Sequence, residues 1–131
     1  MASSISNFLE NAIMNMVFND TDPSFTGAVV SPTTVYVKLH TGSPGETGTG
    51  NPAANTTRKA ASFGAASNGI STSDADIQWT LVPAETYTAI SIWDDLTAGN
   101  CLWFGDLTSS KTVALNDTFT IPSGSLTVTL D

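Results

Sequence analysis

The side chains of this chain that could do chemistry are few and scattered. His40 is the single histidine, so a histidine-based zinc site or a serine–histidine–aspartate triad would have no other histidine to use. It falls on the polar side of a predicted strand beside Lys38, which favours a surface imidazole. Cys101 is the single cysteine, so no intrachain disulfide can form, and a small strand residue is the simplest interpretation. We therefore expect no catalytic residue, no cofactor and no enzyme.

Pairs of carboxylates are the other possible chemical groups. Asp94 and Asp95, with Asp106, could approach one another across a hairpin. Paired carboxylates serve as acid and base in glycosidases or as oxygen ligands of calcium. In turns, however, aspartates usually accept hydrogen bonds from the turn's own amides, and the same holds for Asp74 and Asp76 at the start of a strand. We expect no metal site here, and the chain contains no EF-hand, P-loop or dinucleotide spacing.

The three tryptophans point to packing or to binding. Trp79 alternates with Ile77 and Leu81, and this spacing predicts that all three face inward. Trp93 and Trp103 lie on strands joined by a turn and could form a cross-strand pair. A core or a subunit interface is the simpler interpretation, whereas exposed, stacked rings would suit a carbohydrate.

Short strands in the last third of the chain position these residues. Strict alternation of apolar and polar residues, with Gly, Asn, Asp and Pro between the runs, indicates antiparallel strands with one buried face. Similar runs precede them, which favours a sandwich, with a barrel as the alternative. We predict a mainly β single domain, residues 1–131, with the β-domain at about residues 33–131. The predicted strands are Thr33–Leu39, Arg58–Gly64, Asp76–Val82, Tyr87–Trp93, Cys101–Phe104, Thr112–Leu115, Thr118–Ile121 and Ser125–Asp131, with turns at residues 94–100 and at Ser109–Ser110.

An amphipathic helix is predicted at about residues 4–18. Apolar residues recur at helical spacing, and Ser3, Ser4 or Ser6 can cap the helix; Asn7 with Glu10 also fits a capping box. We expect this helix to cover one end of the sheet and to present an interface to neighbouring subunits. The stripe comprises Ile5, Phe8, Leu9, Ile13, Met16 and Val17.

A long loop, residues 41–57, follows the first predicted strand. It holds four glycines and two prolines and almost no apolar side chain, so it is not expected to contribute to a core. We predict a surface excursion that a neighbouring subunit orders.

Composition excludes several partners. Twelve acidic residues against four basic ones give a net charge of −8, which repels phosphate backbones, so no nucleic-acid binding is expected. There is no polybasic patch, membrane span or signal peptide, so we expect synthesis in a cytoplasm and no membrane partner. Only 12% of the residues are charged, which suits a protein packed beside copies of itself.

The order of four sequence runs resembles a known family. These are Ser4–Ala12, Ser31–Thr41, Ala61–Gly69 and Ser123–Leu130. Together they are similar to small proteins of tailed-bacteriophage genomes, often labelled tail-fibre or minor structural proteins. The sequence departs from that pattern at Thr41-Gly42-Ser43-Pro44, where the family has Thr-Ala-Asp-Pro or similar, and in a longer, glycine-rich insert at Thr47–Asn55.

The resemblance implies a non-enzymatic virion component made in the host cytoplasm. Because the chain is short and has no predicted shaft, we expect a capsid decoration or cement protein, working as a homo-oligomer, a trimer or hexamer, on the major capsid protein. The alternatives are a tail-fibre or baseplate subunit bound to a tail protein, and a carbohydrate-binding adhesin that uses Trp93 and Trp103.

Overall fold

The computed structural model describes residues 4–18 and 34–130. Within these ranges the chain contains one α-helix, α1, and nine strands that pair only in antiparallel fashion. The elements are β1 (Ser4–Ile5), α1 (Asn7–Phe18), β2 (Val35–His40), β3 (Lys59–Ala61), β4 (Ile70–Thr72), β5 (Ile77–Val82), β6 (Glu85–Trp93), β7 (Cys101–Val113), β8 (Asp117–Ile121) and β9 (Thr127–Thr129).

The described strands form a five-stranded sheet and two two-stranded ribbons. The sheet has the order β1-β7-β6-β2-β3, and the ribbons are β4-β9 and β5-β8. The hairpin of β6 and β7 forms the centre of the sheet. Strand β2 pairs with β6 on the side away from β7, over the pairs Tyr36–Trp93 to His40–Ala89. The predicted fold class, mainly antiparallel β with one N-terminal helix, is confirmed, and these sheets do not close into a barrel.

The core lies between one face of the five-stranded sheet and the β5-β8 ribbon. Val37 and Leu39 of β2 are fully buried there. Across from the sheet, the Phe119 ring of β8 lies 5.8 Å from the Trp79 ring and 5.1 Å from the Tyr87 ring, centroid to centroid. These separations are ordinary for packed aromatic rings. The prediction that Trp79 is a core residue is confirmed.

The turn predicted at Ser109–Ser110 does not exist, because β7 runs without a break from Cys101 to Val113. The small polar residues that suggested a turn lie instead at an irregularity in the pairing of β7 with β6. Between the pairs Ala89–Asp106 and Tyr87–Lys111, residues 107–110 of β7 oppose only residue 88 of β6. Small polar residues accommodate such a bulge in a continuous strand as readily as they accommodate a turn.

Leu81 faces solvent, so its predicted inward orientation is wrong. The pairing of β5 with β8 shifts between Trp79 and Val82, and Leu81 adopts a positive φ of 53°. An extra residue in a strand moves the next side chain to the other face. Leu81 is therefore 74% exposed, and Val82 is buried in its place.

The helix begins later than predicted. Ser4 and Ile5 pair with Phe104 and Trp103 as β1, and the N-cap is Ser6, whose Oγ accepts a hydrogen bond from the Leu9 amide at 3.3 Å. Asn7 is already inside the helix, so the Asn7–Glu10 capping box is not formed. The described helix is too short to cross a bilayer.

The loop at residues 41–57 folds back onto its own chain rather than projecting into solvent. The Thr41 amide donates to the Asn51 carbonyl at 2.9 Å, and the Ala53 amide donates to the Leu39 carbonyl at 3.1 Å. Ala53 joins the hydrophobic core, and Pro44 is fully buried. The expectation that this loop cannot contribute to a core is wrong, because small side chains bury well wherever backbone hydrogen bonds hold them against a strand.

Gly48 provides a test of this packing. Gly45 and Gly48 share a φ of +70°, but a Cβ at Gly45 would meet nothing within 4 Å, whereas one at Gly48 would lie 2.6 Å from the Cys101 sulfur. We expect Gly45→Ala to lower the free energy of unfolding by about 1–2 kcal/mol through backbone strain alone. Gly48→Ala should lower the free energy of unfolding by about 1–3 kcal/mol more, because the added methyl group overpacks the site. Urea unfolding of both variants measures the difference, and equal losses would mean that the loop does not pack on Cys101.

Candidate functional site

The turn at residues 94–100 binds its own amides with its two aspartates. Asp94 Oδ1 accepts a hydrogen bond from the Asn100 amide at 2.7 Å, and Asp95 Oδ1 accepts from the Thr97 and Ala98 amides, each at 2.9 Å. The Ala98 and Thr97 amides lower the pKa of Asp95, because they stabilise its charged form. The prediction of Asx-type hydrogen bonds in this turn is confirmed.

Arg58 ties this turn to the edge of the five-stranded sheet. Its Nη1 donates to the Asp95 carbonyl at 2.7 Å and to the Ala98 carbonyl at 2.6 Å. The guanidinium carbon lies 3.7 Å from the centre of the Trp93 ring, a close cation–π geometry. The side chain is therefore held on three sides, in a fixed orientation.

A buried polar network lies beneath the loop at residues 41–57. His40 Nδ1 lies 2.8 Å from the Gly50 carbonyl oxygen, and His40 Nε2 lies 2.7 Å from Ser91 Oγ. The Trp93 indole N–H donates to the same Ser91 oxygen at 2.8 Å. The prediction that His40 is a surface imidazole is wrong, because the loop covers the face of β2 on which it lies.

The partners of His40 determine where its proton lies. A carbonyl oxygen only accepts, so Nδ1 carries the hydrogen and donates it to Gly50. The unprotonated Nε2 then accepts from the Ser91 hydroxyl, whose oxygen accepts from Trp93. Burial lowers the pKa of His40, and the nearby charge of Lys38 lowers it too, against the raising effect of the Gly50 hydrogen bond. The neutral ring satisfies every polar group in this network.

The Ser91–His40 pair is not arranged as a nucleophile and its base. Both residues are 0% exposed, so no substrate reaches the serine oxygen. The second ring nitrogen faces a backbone carbonyl, where a hydrolase places a carboxylate that stabilises the imidazolium. The pair is a structural element that links β2, β6 and the loop.

Cys101 is a buried strand residue, as predicted. Burial raises the pKa of its thiol to about 11, so the reactive thiolate is scarce at neutral pH. In the described part of the chain, His, Cys, Asp and Glu side chains do not gather into a group of three or more that could hold a metal ion. Asp76 accepts a hydrogen bond from the Ser123 amide at 2.8 Å, and Asp74 accepts one from Ser62.

The two tryptophans proposed as a carbohydrate surface do not form a pair. Trp93 opposes Tyr36 on one face of the sheet, whereas Trp103 opposes Ile92 and belongs to the core on the other face. Each ring is only 6% exposed. A sugar would find little aromatic surface at either position.

Most of the described side chains of the predicted helix stripe pack against other residues of their own chain. Ile5 packs against the core, and Leu9 lines a small apolar cavity together with Leu102 and Trp103. Phe8 and Ile13 are half-buried. The side chains of Met16 and Val17 lie outside the described residues. Among the described side chains of α1, the exposed large apolar ones are Met14 and Phe18.

Two residues that organise this region were missed from the sequence. Ser91 interrupts the apolar run Ala89-Ile90-Ser91-Ile92, and a small polar residue in a doubly buried strand signals a hidden partner. Arg58 had no comparable signal, because its partners are backbone carbonyls far along the chain.

This arrangement defines a small β protein whose polar groups are used for structure. Residues 4–129 match the family described as Podophage GP4 fiber I protein gp80. The chain belongs to that family, and the resemblance to tailed-phage structural proteins is confirmed. The family indicates a structural component of a phage virion. No match was found among curated proteins.

The His40 network makes stability depend on pH in a defined direction. The folded-state pKa of His40 is lowered from 6.5, so the unfolded chain binds protons first as pH falls. We expect the free energy of unfolding to be constant just above pH 7 and to fall below pH 6.5, by at most about 1.4 kcal/mol per pH unit. Urea unfolding between pH 5 and pH 7.5 measures this.

The control is His40→Gln, which removes the single histidine and should flatten the slope between pH 5 and pH 6.5. An NMR titration of the His40 ring protons with a midpoint at or above pH 6.5 in the folded protein would contradict the assignment.

Proposed function

We propose that this chain is a structural subunit of a phage tail fibre and has no enzymatic activity. The observation that carries the proposal is the family match, which spans residues 4–129 and is described by the words "fiber I protein". The geometry is consistent with it, since the histidine, the cysteine and the turn aspartates are engaged in packing and hydrogen bonding. Capsid decoration, expected from the shortness of the chain, has no such support.

We further propose that copies of the chain associate with one another and with another tail protein. Met14 is 56% exposed and Phe18 is 77% exposed, one helical turn apart on α1. Two large apolar side chains at this spacing lie on the same side of a helix. Only 12% of residues are charged, so few charged side chains have to lose water when two surfaces pack together.

Immunogold labelling of intact particles tests the location. With an antibody against this protein, we expect gold at the tail, because a fibre subunit is attached there. An antibody against the major capsid protein provides the matched control, labelling heads on the same grids. Gold spread over the heads would overturn the tail-fibre proposal in favour of capsid decoration, with assembly on the major capsid protein.

Charge substitutions on α1 test self-association. A buried apolar anchor contributes about 1–2 kcal/mol or more to an interface, so Met14→Asp with Phe18→Asp should weaken association by about 100-fold. Ser109→Asp with Ser110→Asp adds the same two charges at exposed positions of β7 and serves as the control. Sedimentation equilibrium measures the association constants. If the α1 double variant associates as tightly as the β7 double variant, this side of α1 is not the interface.

A further inference from the structure

Two of the four basic residues of this acidic chain line one cleft. Tyr36 pairs with Ala60 and Val37 pairs with Lys59, so the same register places Lys38 opposite Arg58. Like charges directly opposite each other on neighbouring strands are destabilising. Arg58 indeed lowers the pKa of Lys38, after the larger effect of burial. The fold therefore retains two cations whose interaction with each other is unfavourable.

The cleft beside this pair has the volume of a small-ligand site. Its volume is about 440 Å³, within the usual range for ligand pockets of about 300–1,000 Å³. Apart from the two cations, three threonines and one leucine line it. The lining residues are Lys38, Thr56, Thr57, Arg58, Leu96 and Thr97.

The two cations differ in how firmly they are held. Arg58 is fixed by the Asp95 and Ala98 carbonyls and by the Trp93 ring, and both of those hydrogen bonds come from Nη1. Its Nε and Nη2 donors are thus available for another acceptor. Lys38 has a flexible side chain that can adjust to a bound group. One rigid and one adaptable cation form a partly preorganised anion site.

Two neighbouring carboxylates offset part of the positive charge of this cleft. Asp95 uses Oδ1 to accept from two amides of its own turn, and Asp94 accepts from Asn100. Their charges raise the pKa of Arg58, but burial lowers it by more. A ligand anion in the cleft would add a further favourable charge interaction with Arg58 and Lys38.

We propose that the cleft between Lys38 and Arg58 binds an acidic saccharide, with a sugar carboxylate between the two cations and ring hydroxyls against Thr56, Thr57 and Thr97. Carboxylates form charge-assisted hydrogen bonds with both cation types. A sugar hydroxyl can both donate to and accept from a threonine hydroxyl, whereas the oxygens of a bare anion only accept. This binding does not depend on which part of the particle holds the protein.

Titration of the purified protein with trigalacturonate, followed by ¹H–¹⁵N NMR, tests the proposal. We expect saturable shifts at the amides of the three threonines. The neutral trisaccharide maltotriose is one control, and acetate at equal carboxylate concentration is the other. Each should bind at least about ten-fold more weakly, because each loses about one favourable contact with the site. Equal shifts with maltotriose would mean that the two cations do not take part in recognition. Equal affinity for acetate would mean that the sugar ring does not take part.

Lys38→Gln is the diagnostic variant, because it removes the adaptable cation without touching the carbonyls that hold Arg58. It should weaken trigalacturonate binding by about ten-fold. Lys111→Gln makes the same change of net charge at an exposed position on β7 and should bind like the wild type. The NMR spectra of both variants verify folding. Equal affinities of the two variants, or no binding by the wild-type protein, would overturn the proposal.

Discussion

The second half of strand β6 is buried on both faces, and the other elements are arranged to cover it. Every residue from Ala89 to Trp93 is less than a tenth exposed. One face meets the apolar core, which hydrophobic burial stabilises without further requirements. The other face carries Ser91, a polar group whose burial without a partner costs about 1–3 kcal/mol. His40, Trp93 and the loop at residues 41–57 satisfy that requirement together.

The elements predicted from the sequence are those whose pattern depends on a single buried face. Strands near β2, β5, β6, β8 and β9 follow from the period-two alternation, and the helix follows from its apolar spacing. Errors occur where a residue's surroundings are distant in sequence. His40 has the pattern of an exposed residue, but a loop whose contacts are mostly backbone hydrogen bonds covers it. Leu81 and the Ser109–Ser110 segment fail because bulges change the alternation without changing composition.

In the candidate site, too, local features could be predicted from the sequence and distant contacts could not. The Asx hydrogen bonds of Asp94 and Asp95 are local, within a few residues, so composition and position in a turn suffice to predict them. The Lys38–Arg58 pair depends on the register of two strands separated by a long loop. No periodicity in either segment specifies that register. Strand alternation alone therefore leaves the partner of Lys38 undetermined.

The position of the cations has a physical meaning for a protein of this charge. A net charge of −8 gives the whole molecule a weak long-range repulsion toward anions, which salt screens beyond about 8–10 Å. Inside the cleft, burial reduces screening, so the two cations interact with a bound group at short range although Asp94 and Asp95 lie nearby. Recognition of an anion there depends on shape and contact rather than on attraction from afar. A threonine or tyrosine opposite Arg58 would pair better across the strands, so the presence of Lys38 at that position favours a binding role over a stabilising one.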